Sequence, residues 1–241
     1  MADSKGRARF VSENYGSSKL AQKFGVTRYP AIFVDDVLIA TPSDFGFYGN
    51  DGGPKEGRYA PFVKNAANYE RFRADLVRMI DLIVAGNKAA VRAQAVPAAP
   101  AGIAALPAFT LTDLEGRTIT RESLAGRPVL VEMWATWCPP CRGTLGWLGE
   151  LKRRYGDDLA VLAIAVESDE ASVRKVAAEL KQPVSYAMGS AELVRGFGDI
   201  GGVPTLFLFD REGKAAGTFF GAPPSLHADV ESKLTPLVRA R

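Results

Sequence analysis

The run Pro128-Val129-Leu130-Val131-Glu132-Met133-Trp134 is apolar and β-branched enough to be a buried strand, and three residues later the chain reads Cys138-Pro139-Pro140-Cys141. Leu145, Leu148, Leu151 and Tyr155 then recur at helical spacing, so the cysteines open a helix. A buried strand that turns within a few residues into a helix, with the only two cysteines of 241 residues at the turn, is the place to look for chemistry.

The elements that follow agree with a layered α/β fold. Leu159 to Val166 is almost wholly apolar, as an interior parallel strand would be, and Ser168 with Asp169 and Glu170 offers a cap and an acidic first turn for a helix to Leu180. A strand over Val184 to Met188, a short helix near Ala191 to Phe197, strands Thr205 to Phe209 and Ala215 to Phe220, and a last helix from about Ser225 to Val238 complete the order β-α-β-α-β-α-β-β-α. That order implies a central sheet with helices on both faces. Ahead of it, Phe109 to Thr112 and Arg117 to Thr120 flank the turn Asp113-Leu114-Glu115-Gly116 and read as a hairpin.

The stretch 95–107, with prolines at 97, 100 and 107 among alanines, has the composition of a semi-extended linker. It divides the chain into a first domain, 1–94, and a second, 108–241. In the first, Arg9 to Ser12 suits a short strand, Ser17 or Ser18 caps a short helix to Phe24, and Ala31 to Val34 and Val37 to Ala40 form a hairpin about Asp35-Asp36. Residues Thr41 to Asn65 are rich in glycine and aromatics and read as a long loop, plain in the first instance, with docking of a partner as the alternative. A helix from about Asn68 carries the apolar stripe Phe72, Leu76, Met79, Ile80 and Ile83.

Charge and cysteine count narrow the function. Thirty Lys+Arg against 27 Asp+Glu leave a net charge of +3 with the basic residues scattered, which gives no footprint for nucleic acid or a polybasic membrane site. No apolar run reaches membrane-spanning length. Both cysteines stand in one C-x-x-C and His227 is the single histidine, far along the chain, so a four-ligand zinc site within one monomer is disfavoured. The pair is therefore redox-active, with binding of a soft metal such as copper(I) as the alternative. A helix N-terminus lowers a thiol pKa, making Cys138 the exposed nucleophile and Cys141, one turn on, the resolving thiol. Pro139 and Pro140 remove two N–H donors to the thiolate. Trp137 is left without a packing explanation beside them.

Three further residues bear on this site. Glu132, six before Cys138, interrupts an apolar strand and is either a buried acid serving Cys141 as proton acceptor or an outward, lysine-paired carboxylate. Val203-Pro204 follows two glycines and precedes a strand, and beside a C-x-x-C a cis bond is favoured there, with the Val203 backbone pairing to an extended substrate segment. Gly143, Gly146 and Gly149, three apart on the cysteine helix, are explained by a closely packed neighbour. Trp134 and Trp147 read as core and His227 as a surface residue without a catalytic role.

From Val131 to Cys141, with Gly202-Val203-Pro204-Thr205 downstream, the chain resembles thioredoxin-fold thiol-disulfide oxidoreductases of the TlpA/ResA-like branch, over about Leu106 to Val238. The resemblance implies a thioredoxin fold with an added N-terminal hairpin and a βα insertion before a cis-proline. By position it makes Cys138 and Cys141 the nucleophilic and resolving cysteines, Glu132 the buried acid and Pro204 the cis-proline. Trp137, Pro139, Pro140, Val203 and Pro204 are then the substrate-binding residues. It implies protein thiol or disulfide substrates, an upstream electron donor, no cofactor beyond the Cys138–Cys141 pair, a monomer, and an exported, periplasmic-side protein, although the N-terminus lacks a signal-peptide core and a cytoplasmic place is compatible with it. Many members carry glutamate and proline where this chain has Thr144 and Gly146, which sets it apart from cytochrome maturation. Peroxiredoxins share the fold, but their signature would need proline at 131 or 134, where Val131 and Trp134 stand. The first domain resembles half of a thioredoxin: Phe24 to Pro30 echoes Gly198 to Pro204, and the cysteine-bearing half is absent.

Overall fold

The computed structural model describes residues 9–13, 19–24, 26, 31–45, 57–59, 65–95, 103–198, 200 and 202–239. The first part of the chain forms α1 (Lys19–Lys23), β1 (Ile32–Val34), β2 (Val37–Ala40), α2 (Pro42–Phe45), α3 (Ala66–Val84) and α4 (Lys88–Arg92). β1 and β2 pair antiparallel about Asp35, whose φ of 58° suits a residue that tolerates the left-handed region. Asn65 caps α3 through its side chain, which accepts from Asn68 N–H at 3.2 Å. Val34, Val37, Ile39, Met79 and Val91 form the core, with Leu76, Ile80 and Ile83 of the expected stripe packed against it. The stretch Arg9 to Ser12 is irregular rather than a strand.

Within the expected 41–65 loop, the described residues are structural. Tyr59 is fully buried, donates its hydroxyl to Asp75 at 3.0 Å, and packs with Phe45 and Phe72, while Arg58 pairs with Asp44. These aromatics go to the core because α3 presents Phe72 to them, so they are not free for docking. Residues 46–56 and 60–64 lie outside the described ones, as do Ser17 and Ser18, the expected caps of α1, and most of the half repeat at 27–30.

The second part contains β3 (Thr110–Thr112), β4 (Thr118–Thr120), β5 (Val129–Trp134), α5 (Pro139–Tyr155), β6 (Ala160–Ala165), α6 (Glu170–Leu180), β7 (Ser185–Met188), α7 (Ala191–Gly196), β8 (Thr205–Phe209), β9 (Ala215–Phe220) and α8 (Leu226–Arg239). The sheet order is β7-β6-β5-β8-β9, with β5, β6 and β7 parallel and β8 and β9 antiparallel. This is the expected α/β architecture, a mixed sheet between helices. β5 and β6 are buried at every position, which is why neither alternates polar with apolar. The register sets Glu132 beside Ala163 and Leu206, and Val131 beside Leu162 and Phe207, so successive residues face opposite layers. α5 covers the Glu132 side and α7 the other, where Phe197 packs on Phe207 and Phe209.

The hairpin covers one edge of the sheet, and a preceding segment covers the start of the other. Beyond β7 the β3–β4 hairpin docks through an Asp113–Ala187 bridge and a Leu114 N–H bond to the Tyr186 carbonyl at 2.8 Å. At the β8–β9 turn and the start of β9, Ala105 bridges Lys214, Leu106 N–H donates to the Gly213 carbonyl at 2.7 Å, and Ala215 N–H donates to the Ala104 carbonyl at 2.9 Å. The last residues assigned to the linker, 103–107, thus belong to the second unit: Leu106 is buried in its core and Ile103 packs on it. An apolar anchor inside an Ala/Pro-rich run overrides the compositional signal. For α6 the cap is Asp169, accepting from Ser172 N–H at 2.8 Å, and Ser168 is used elsewhere.

The three glycines of α5 divide. A Cβ on Gly149 would collide with Gln182 Oε1 and fall 2.9 Å from the Gln182 Cβ, whereas at Gly143 and Gly146 it would meet nothing within 4 Å. The close neighbour expected for all three exists for Gly149 alone. Alanine at Gly143 or Gly146 is therefore expected to stabilise the protein by about 0.5–1 kcal/mol in denaturant melts. Alanine at Gly149 is expected to destabilise it, since Gln182 would have to leave its 2.8 Å bond from Arg153.

Candidate active site

Cys138 is the N-cap of α5 in extended backbone conformation, and Pro139 and Pro140 occupy the first two helical positions. Neither proline has an N–H, so Cys141 is the first residue whose amide is free to cap. That amide donates to Cys138 Sγ at 3.3 Å, the place a serine or aspartate oxygen takes in an ordinary cap. The helix therefore delivers one directed amide and its positive end to one sulfur. In this structure the two cysteines are joined as a disulfide. Cys138 is 3% exposed and Cys141 0%, so the expected contrast between an open and a buried sulfur is slight in the oxidised state. The cap conformation explains this, because it folds the Cys138 side chain back over the helix end. What stands in solvent is the rim: Trp137 at 55%, with Pro139 and Pro140 exposed beside it.

The turn before the helix is held from β6. Trp134 C=O accepts from Val166 N–H at 2.8 Å, Thr136 N–H donates to Ser168 Oγ at 2.9 Å, and Trp137 Nε1 donates to the Glu167 carbonyl at 3.0 Å. Glu167 takes a φ of 45° to present that carbonyl. The Val203-Pro204 bond is cis, and Val203 belongs to the buried core that also holds both cysteines. Pro204 is itself buried.

Glu132 is fully buried, which excludes the outward, lysine-paired alternative. Burial pushes its carboxyl up to about 8, opposed only by a hydrogen bond with Thr144. Thr144 Oγ1 lies 2.5 Å from Glu132 Oε1 and 2.9 Å from the Cys141 carbonyl. A hydroxyl has one proton to give. Given to the Cys141 carbonyl, it leaves Oγ1 to accept from a neutral Glu132; given to Glu132, it satisfies the carboxylate. Thr144 thus couples the acid's protonation state to the backbone of the second cysteine. The sequence marked this position as a departure from the related proteins; its partner in β5 gives the departure a use.

Outside this cluster, His227 stacks on Trp147 with centroids 4.2 Å apart and planes at 8°, and Trp147 Nε1 donates to Glu231 Oε1 at 3.2 Å. The stack seats α8 on α5 and was not legible from one histidine and one tryptophan 80 residues apart. Among the described residues no group of three or more His, Cys, Asp and Glu is placed to hold a metal, and no helix is long and apolar enough to cross a membrane.

Comparison with known proteins bears on the same residues. The Redoxin family model matches residues 100–234. Thiol-disulfide oxidoreductase ResA of Bacillus cereus is 32% identical over 118 residues, 48% of this chain and 67% of that relative. Thioredoxin-like protein YneN of Bacillus subtilis (strain 168) is 39% identical over 72 residues, 30% of this chain and 42% of its own. A thiol:disulfide interchange protein of the thioredoxin family from Chlorobium tepidum TLS superposes with a TM-score of 0.51 at 27% identity, covering 56% of this chain and 96% of that one.

Proposed function

The chain belongs to the Redoxin family and is a thiol-disulfide oxidoreductase like its ResA relatives, and from that premise we propose that it exchanges the Cys138–Cys141 disulfide with protein thiols through a mixed disulfide at Cys138. The observation that carries the reading is the cap: the helix end and its single free amide are both turned on Cys138 Sγ.

Starting from the disulfide, a donor thiolate attacks Cys138 Sγ, the Cys138–Cys141 bond breaks, and the electron pair leaves on Cys141 as thiolate. Glu132, neutral below about 8, is the proton source for that thiolate. A second donor thiolate then resolves the mixed disulfide and releases Cys138 as the thiolate that the helix end favours. In the reductive direction each step reverses: Cys138 attacks a substrate disulfide, Cys141 loses its proton to ionised Glu132 and displaces the substrate thiol. Two electrons move per cycle, and one proton passes between Glu132 and Cys141 while Cys138 stays as the thiolate. Trp137, Pro139 and Pro140 form the exposed rim on which a substrate segment rests, and the Val203-Pro204 backbone holds it from the other side. The substrates are protein thiols and disulfides on the exported side of the membrane, served by an upstream electron donor, with no cofactor beyond the cysteine pair.

The test is trapping. With Cys141→Ser, an attacked substrate has no resolving thiol, so mixed disulfides are expected to accumulate at Cys138 and to disappear on reduction. Peptide mapping that finds adducts at no site, from a variant that folds and binds no thiol reagent faster than free cysteine does, overturns the proposal.

A further inference from the structure

Among the described residues, three buried polar side-chain atoms find no hydrogen-bond partner within the protein: Glu132 Oε2, Trp134 Nε1 and Tyr186 Oη. They belong together. Glu132 and Trp134 are two apart on β5 and point to one face, and the register carries that face through Ala163 and Ala165 of β6 to Tyr186 of β7. Between Glu132 and Trp134 on one side and Tyr186 on the other, β6 presents only the methyl groups of Ala163 and Ala165. Two strand spacings set the Glu132 and Tyr186 Cα atoms about 10 Å apart. The Trp134 and Tyr186 rings meet edge to face at 6.0 Å, and the Glu132 charge adds to burial in pushing Tyr186 up to about 12. Two donors without partners and one acceptor without a partner, all in one dry layer, are the requirements of an ordered bridging water.

We propose that Tyr186 is a positioning residue for the proton step: its hydroxyl, with the Trp134 indole N–H, holds a bridging water on the free oxygen of Glu132 and so favours the ionised form of that acid. This rests on the reading of Glu132 as the proton donor and acceptor of the exchange. The donors matter because one oxygen of Glu132 is already served by Thr144, and the other has no partner among the described residues. No charged group described near the layer competes for the role. The groups on the outer side of the Tyr186 ring are Asp113 and Glu115 of the hairpin turn and Arg174 and Lys181 on and just past α6, which line an open cleft of about 310 Å³ with it. On α5, Arg142 is engaged by Glu179. Tyr186 stays protonated over the working pH range, so it gives a hydrogen bond without giving up its charge state.

Tyr186→Phe removes one oxygen and keeps the ring. In the full-length oxidised protein, its melting temperature is expected to equal that of the wild type at pH 5, where Glu132 is neutral, and to fall below it at pH 9, where the carboxylate has lost a donor. The midpoint of the exchange rate against pH is expected to move up by about one unit, a ten-fold change in proton affinity. In a Glu132→Gln background the same substitution should change neither. Equal effects of Tyr186→Phe at pH 5 and pH 9, with an unmoved midpoint, overturn the inference. If Glu132→Gln leaves the pH profile intact while Cys138→Ser is inactive, Glu132 is not the acid and the inference falls without the exchange mechanism. A Cys138→Ser protein that still exchanges disulfides overturns the mechanism itself.

Discussion

Glu132→Gln is expected to stabilise the oxidised protein at pH 9 by roughly 5 kcal/mol while changing little at pH 4. The sign follows from where the proton is held. In the unfolded chain Glu132 ionises near the ordinary 4.5, and in the fold burial holds the proton to about 8. Below the lower value both states are protonated and the native state carries no penalty. Between the two, the unfolded chain releases a proton that the native chain keeps, so stability falls by about 1.4 kcal/mol per pH unit. Above about 8 the native state must ionise a carboxylate that has one protein partner, Thr144. Glutamine keeps the shape and an acceptor for Thr144 but does not titrate. The measurement is the difference in unfolding free energy between variant and wild type from pH 4 to pH 9, which cancels the other titrating groups. A difference that is constant with pH would show that Glu132 is not the buried acid described here. The protein thus carries a destabilising group at the centre of its sheet, in keeping with a site whose chemistry costs stability.

Cys138→Ser is expected to lower the rate of disulfide exchange by roughly three orders of magnitude or more, with the fold intact. A serine oxygen at the same N-cap accepts from Cys141 N–H at least as well as sulfur does, so α5 keeps its start. What is lost is a nucleophile whose anion is accessible near neutral pH and a sulfur that can be attacked in return. Melting temperature under reducing conditions and turnover of a model disulfide, measured on one preparation, separate the two effects. Loss of structure together with activity would make the cysteine a staple rather than a nucleophile, and retained turnover would place the chemistry elsewhere.

The sequence made the βα unit around the cysteines legible because three independent signals coincide there: a strand without polar alternation, two prolines suited to a helix start, and apolar residues at helical spacing. Glu132 was visible for the same reason, as one charge in an apolar run. Its partners were not. Thr144 stands 12 residues away on α5 and Tyr186 54 residues away on β7, and only helix packing and strand register bring them to the Glu132 face. Ser168 looked like a helix cap because its neighbours are acidic, yet Asp169 takes that role and frees Ser168 to hold the active-site turn. In the Ala/Pro-rich stretch, composition described the average and missed Leu106 and Ile103, side chains with enough surface to anchor the segment on the core. The glycines misled by regularity: spacing of three suggests a packed stripe, but packing depends on what the opposite element offers at each step.

The partly covered edges of the sheet have a consequence for the company this protein keeps. A thiol-disulfide oxidoreductase handling incompletely folded chains works among extended segments whose own amides and carbonyls are unmatched. A bare strand at either end of the sheet would recruit such segments laterally and seed mixed fibrils. Here the hairpin stands guard beyond β7 and residues 104–106 at the start of β9, so lateral pairing is narrowed to the far end of β9 and a client is steered to meet the sheet end-on, at the cysteines.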